Sequence, residues 1–189
     1  YFFFCKFCGR IVYSTAREYG WNKKVSITRV KDYFRSMNME QRVWEFETSS
    51  ATVELAAQTL CVRPARIAKT LSFALGEGCV LVVAAGDARV DNRKFKDQFA
   101  VKAKMLAPEE VERLTGSAVG GVCPFALPAS TPVYLDVSLK RFTTVFPACG
   151  SSNSAIEVTC DELFRYSHAL AWIDVCKDWE EGDDSAIDD

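Results

Sequence analysis

The chain has 189 residues, 49% of them hydrophobic and 25% charged, with a formal net charge of −2. That length suits one domain, and that balance excludes a collagen, a coiled coil and a wholly disordered chain. No apolar run approaches the roughly 20 residues that a membrane-spanning helix needs, so a cytoplasmic protein without a membrane partner is expected.

Residues 1–24 read as an extension of unknown role. They open Tyr-Phe-Phe-Phe-Cys-Lys-Phe-Cys-Gly, an apolar run too short for a signal-peptide core and followed by no small-residue cleavage site. Cys5 and Cys8 form a CxxC like half of a zinc knuckle. Tetrahedral zinc needs two more ligands, and the chain has one histidine, His168, and no second CxxC. An inert extension, a zinc half-site and a redox pair all stay open, and no metal is assigned. The other six of the eight cysteines stand singly among apolar residues, as small buried hydrophobes in a reducing compartment do.

Residues 25–177 read as the domain. The spacing of Ile27, Val30, Phe34 and Met37 predicts an amphipathic helix over 26–38, capped by Ser26. Val43–Phe46 reads as a short strand. Ser49 and Ser50 are candidate caps of a second helix running to Leu60, and Pro64 opens a further helical turn. Ala68–Leu75 and Cys79–Ala85 flank Gly76-Glu77-Gly78, the chemistry of a hairpin. Asp91–Phe99 is a basic helix, Ala103–Leu106 a strand, and Pro108–Leu114 a helix opened by proline and two acids. Strands are then expected at Val119–Val122, Val133–Val137, Thr143–Phe146 and Ala155–Val158. A short helix at Asp161–Tyr166 and a last strand or turn at Ala171–Val175 follow. Interleaved elements with a hairpin and short spacings predict a mixed α/β domain, not a regular parallel βαβ array. Residues 178–189 carry seven acids and no base and read as a disordered acidic tail. The 18 acids and 23 bases that precede them give residues 1–177 a net charge of +5, which permits a polyanionic partner.

Familiar catalytic constellations are missing. A Ser or Cys triad normally needs a histidine base, and His168 stands alone. Gly116-Ser117-Ala118-Val119-Gly120 is not a nucleophile elbow, and neither a P-loop nor a dinucleotide fingerprint is present. An enzyme of this sequence would work by positioning and electrostatics, with no cofactor. Three features remain. Lys69 stands at the start of a strand, either as an edge lysine kept in water or as a fixed cation facing a phosphate or developing oxyanion. Gly120 and Gly121, followed by Val122, Cys123 and Pro124, weaken a strand unless the backbone bends or a ligand comes close; a plain β-bulge would also account for them. Gly150, Ser151, Ser152 and Asn153 form either an ordinary polar turn or an anion-binding nest.

Five stretches, Arg66–Ser72 (RIAKTLS), Val82–Asp87 (VVAAGD), Ala118–Phe125 (AVGGVCPF), Val133–Arg141 (VYLDVSLKR) and Ala148–Val158 (ACGSSNSAIEV), in this order, resemble the YbaK/prolyl-tRNA-synthetase-associated editing domain family of aminoacyl-tRNA deacylases. The resemblance covers residues 25 to 177. It implies a mixed, partly barrel-like β-sheet flanked by helices, with a substrate cleft, and hydrolysis of the ester joining a wrong amino acid to tRNA. By the same resemblance Lys69 is the essential lysine. Gly120 to Pro124 is the GxxxP loop that holds the aminoacyl group and terminal ribose, and Gly150 to Asn153 the second cleft loop. Catalysis there is substrate-assisted, which removes the need for a histidine, and Cys123 and Cys149 are expected not to be nucleophiles. Some members carry an aspartate where Ala155 stands, so no single member's amino acid is carried over.

Arg89, Arg93, Lys94, Lys96, Lys102 and Lys104 fall within 16 positions, either a solvated face or a tRNA contact. The expected partners are mischarged tRNA and an aminoacyl-tRNA synthetase, not DNA. A non-catalytic module of the same fold that binds tRNA or a synthetase is the alternative to a deacylase.

Overall fold

The computed structural model describes residues 26–48, 50–117 and 119–179. Cys5, Cys8, Ser49, Ala118 and residues 180–189 lie outside that set. In chain order the elements are α1 (Ser26–Arg35), β1 (Val43–Glu45), α2 (Val53–Leu60), β2 (Ile67–Leu75), β3 (Gly78–Ala85), β4 (Arg89–Val90) and α3 (Asn92–Phe99). They continue with α4 (Pro108–Thr115), β5 (Val133–Asp136), β6 (Thr144–Pro147), β7 (Ser154–Ile156), β8 (Val158–Thr159), α5 (Cys160–Tyr166), β9 (Ala171–Ile173) and β10 (Cys176–Lys177).

The main sheet has six strands in the order β8-β6-β2-β3-β5-β9. β2 and β3 form the expected antiparallel hairpin, from Ala68 opposite Ala85 to Leu75 opposite Gly78. Parallel pairing then extends the sheet from β2 to β6, from β3 to β5 and from β5 to β9, and β8 closes one edge antiparallel to β6. The sheet curls into a half-barrel. A β1–β7 ribbon adjoins it through the Ala148–Ala155 bridge. β3 is the centre of the core: Val80 to Ala85 are fully buried, as a strand flanked by strands and covered on both faces must be. Phe34 of α1, Phe95 of α3, Phe125 and Leu163 of α5 fill the space around the sheet.

Local chemistry sets the helix ends. Thr52 caps α2, its hydroxyl accepting from the Leu55 amide at 3.2 Å. Asp91 caps α3 through the Arg93 and Lys94 amides. Thr159 and Glu162 form a reciprocal capping box on α5, which satisfies two otherwise orphaned amides.

Several expectations are corrected. The cap of the second helix is Thr52, not Ser49 or Ser50. Ala103–Leu106 is no full strand: only Met105 makes a bridge, to Phe73, while the Ala74 amide donates to Lys104 and the Leu106 amide to Ser72. Val119–Val122 forms no strand. Gly120 takes φ +84°, which turns the chain out of any ladder. The stretch Ala155–Val158 divides at Glu157. Ser154–Ile156 pairs with β1 and Val158–Thr159 with β6, so four adjacent residues serve two sheets. The last expected strand stops at Ile173, and the chain turns back so that Cys176 and Lys177 pair with Val90 and Arg89.

Candidate functional site

Lys69 is the third residue of β2, and β2 lies between β6 and β3. Of the two readings of Lys69, the edge lysine kept in water does not match the fold: the side chain rises from the sheet interior and is half-buried. Its ammonium donates to the Gly86 carbonyl at 2.9 Å and to the Ala88 carbonyl. Burial pushes its pKa below the ordinary lysine value, against the pull of nearby groups such as the Asp87 and Glu54 carboxylates. Arg141, from the turn after β5, holds Asp87 between those two carbonyls.

Lys69 borders an open pocket of about 360 Å³. Leu71, Phe73, Val90, Ala103 and Met105 supply apolar walls, and Arg89 and Asn92 supply polar ones. Among the described residues, neither the glycine loop nor the serine loop lines this pocket.

Those two loops instead meet each other. A Cβ added to Gly121 would lie 3.0 Å from Ser151 Cα and 3.3 Å from the Gly150 carbonyl carbon. Main chain thus packs on main chain, and any side chain would force the loops apart. Gly120 stands beside Ala51 and Ser152. The serine loop is ordered from within: the Ser151 hydroxyl bonds Asn153 Oδ1 at 2.9 Å and Ser154 Oγ at 2.8 Å. Asn153 and Phe46 exchange two hydrogen bonds, the Phe46 amide to the Asn153 carbonyl and Asn153 Nδ2 to the Phe46 carbonyl.

Residues 50–54 connect this pair of loops to Lys69. The Ser50 amide donates to the Ser152 carbonyl at 2.6 Å, and Ala51 flanks Gly120. Val53 packs on Gly86 so closely that a Cβ there would sit 2.7 Å from Val53 Cγ1 and 2.0 Å from the Pro64 carbonyl oxygen. The carbonyl of that same Gly86 holds the Lys69 ammonium. Three widely separated sequence features are thus joined by the start of α2, which the sequence reading treated only as a helix cap.

The cysteines beside the loops are inert by placement. Cys123 and Cys149 are fully buried in the main core. Burial pushes the Cys123 thiol up to about 11 and the Cys149 thiol well above its ordinary value. Cys123 and Pro124, both expected among the binding residues, are buried. Val122 is half-buried against both the main core and the small cluster around Leu106.

The basic stretch splits in two. Lys94 is a clip, donating to Asp174 at 2.7 Å and to the Cys176 carbonyl at 2.9 Å, and Arg93 stands 4.0 Å from Asp97. Arg89, Lys96, Lys102 and Lys104 are exposed, and Arg89 reaches the Lys69 pocket. Three further groups went unread in the sequence. Trp44 lies exposed next to the serine loop. Asp136 is fully buried and accepts from the amides of Ser138, Val175 and Cys176. Arg66 is bound to Thr144 and lies 3.6 Å from Glu157. Among the described residues there is no His/Cys/Asp/Glu cluster able to hold a metal ion, and no helix long and apolar enough to cross a membrane.

The chain is similar to several known proteins. An uncharacterized protein of Bacillus subtilis, YwhH, is 59% identical over 158 residues, which is 82% of this chain and all of that protein. The proline–tRNA ligase of Lysinibacillus sphaericus is 30% identical over 132 residues, 69% of this chain but 23% of the ligase. The chain therefore spans about a quarter of that relative. A solved structure described as a proposed trans-editing enzyme for prolyl tRNA synthetase superposes with a TM-score of 0.72 at 29% identity, over 80% of this chain and 97% of that one. The sequence model of the aminoacyl-tRNA editing domain matches residues 47–166, a span that takes in Lys69, both loops and the α2 start that joins them, so the chain belongs to the aminoacyl-tRNA editing domain family, the YbaK-like editing fold.

Proposed function

We propose that this protein hydrolyses the ester of mischarged tRNA, acting in trans on the aminoacylated 3′ end. The observation that carries the reading is Lys69: a half-buried ammonium held by two carbonyls, at a pocket wall, on the fold of an editing domain. A cation so placed is worth most where negative charge develops in a site with little water. In the reaction water adds to the acyl carbon, the bond from that carbon to the ribose oxygen breaks, and the free amino acid and a tRNA hydroxyl leave. Lys69 stabilises the oxyanion formed on addition. The amides around Gly120 to Cys123 and Gly150 to Asn153 hold the aminoacyl group and ribose. Both nearby thiols are buried and protonated, and a hydroxyl or side chain of the substrate assists the attack.

A panel of mischarged tRNAs incubated with substoichiometric protein tests this. Turnover of at least one member, lost in Lys69→Ala, is the expected result. Binding without turnover across the panel would instead leave a tRNA-binding module.

A further inference from the structure

Arg141 is firmly anchored beside the site, and the hydrolysis reading leaves it without a role. It ends the short helical turn Val137–Arg141 that follows β5. Its Nε donates to the Ser138 carbonyl at 2.9 Å, and its guanidinium lies 4.7 Å from the Phe142 ring centroid and 5.3 Å from that of Trp179. The turn is itself fixed: the Ser138 hydroxyl accepts from the Ala85 amide at 3.2 Å, and Asp136 accepts from the Ser138 amide at 3.0 Å. Only 10% of the Arg141 side chain is exposed, and its Nη2 donates to the Asp87 carboxylate.

Asp87 stands between the two residues, Gly86 and Ala88, whose carbonyls hold the Lys69 ammonium. An acid at that position competes with those carbonyls for the cation. A carboxylate attracts an ammonium more strongly than a neutral carbonyl does, and an ammonium paired with it has less charge to offer a developing oxyanion. The other titratable groups around Lys69 do not fill that place. Glu54 of α2 pulls more weakly than Asp87, and Arg89 of β4 repels. A Cys176 thiolate on β10 would pull harder than either acid, but burial, helped by Asp136, pushes that thiol well up, and it is neutral where Lys69 titrates.

We propose that Arg141 is a positioning residue for Lys69: by holding the Asp87 carboxylate to itself, it leaves the ammonium with neutral carbonyls as close partners and its charge available to the ester. The role toward the ester rests on the hydrolysis reading; the arrangement of charges does not, and it is tested apart from turnover. Its signature is a pair of opposite shifts. Asp87→Asn removes an attracting charge near Lys69, so the ammonium loses its proton at lower pH. Arg141→Met removes the cation that offsets Asp87 and releases that carboxylate, so the ammonium keeps its proton to higher pH. A turn that merely loosened would move both variants the same way.

The experiment follows the Lys69 Cε resonance of the full chain by NMR against pH, assigned by its loss in Lys69→Met. Wild type, Asp87→Asn, Arg141→Met and the double variant are compared. The midpoint should fall in Asp87→Asn, rise in Arg141→Met and lie between the two in the double variant. Asp87→Asn is an isosteric change at an exposed residue, so it keeps the test open even where Arg141→Met fails to fold. No fall in Asp87→Asn, or shifts of one sign in both single variants, would overturn the proposal. Deacylation at pH 7 should drop about tenfold in Arg141→Met, less than the roughly 10²–10³ lost with a whole oxyanion donor, and should recover in the double variant. A loss that the double variant shares would reduce Arg141 to a brace and overturn the proposal as well. The titration needs no turnover, so opposite shifts in a protein that hydrolyses nothing reject the hydrolysis reading and keep this arrangement of charges.

Discussion

Lys69 carries its charge on a half-buried side chain, and burial lowers its pKa. A lysine whose folded pKa lies below its unfolded value binds fewer protons in the folded protein. Its protonated form therefore opposes folding at neutral pH, and the penalty fades as pH rises through the folded pKa. Lys69→Met keeps the stem and removes the charge, so it should be at least as stable as wild type in urea unfolding at pH 7 while losing most deacylation. Lys69→Arg should also fail, because a planar fork replaces a compact ammonium. The same depression sets an alkaline limit: the protein-catalysed rate, corrected for spontaneous ester hydrolysis, should fall at a pH below 10.5, the ordinary lysine value. A limb at or above that value would remove the cation from catalysis. The buried thiols give the opposite expectation. Cys123→Ala and Cys149→Ala should each keep activity within about tenfold, roughly 1.4 kcal/mol of barrier. An aminoacyl group trapped on either sulfur, detected by intact-protein mass, would contradict the buried, protonated state.

At the scale of elements, the contact between the glycine and serine loops is the most exacting. Gly121→Val places a branched side chain against Ser151 Cα and must push the loops apart. Deacylation should drop at least tenfold, and the urea midpoint should fall as well, because Gly121 is buried and Cys123, two residues on, sits in the same core as β3. A variant with full activity would separate this contact from function. How legible these elements were depends on the range of the forces that set them. The hairpin and helices α1 to α5 were readable because periodicity, caps and turn glycines act over a few residues. The division at Glu157 was not, since it arises from β1 and β6 competing for neighbouring residues far away in sequence. Val119–Val122 looked like a strand by its valines, but Gly120 turns the backbone and no partner strand is at hand. Lys69 could be singled out, yet its setting could not. Its carbonyl partners come from the loop after β3, and the α2 start that links it to the other loops looks like any helix cap.

For the whole molecule, charge and chain path converge on one edge. β10 pairs with β4 so that Lys177 lies opposite Arg89, and Arg89 borders the Lys69 pocket. The last described residues, Asp178 and Trp179, therefore follow directly on a pairing with this basic rim, where Lys102 and Lys104 flank the pocket residue Ala103. RNA held through those cations should bind more weakly as salt rises, because each phosphate contact releases counterions. Removing residues 180–189 should strengthen RNA binding at low salt, and the gain should shrink at high salt as the charges are screened. Equal affinities at low salt would show that the acidic residues do not compete, and a salt-independent affinity would remove the phosphate contacts themselves. The seam between Gly121 and Ser151 has a different kind of consequence. Because it is built from main chain, it does not depend on which side chains stand at Val122, Ser152 or Ala155. The spacing of the two loops thus hangs on one residue that has no side chain at all.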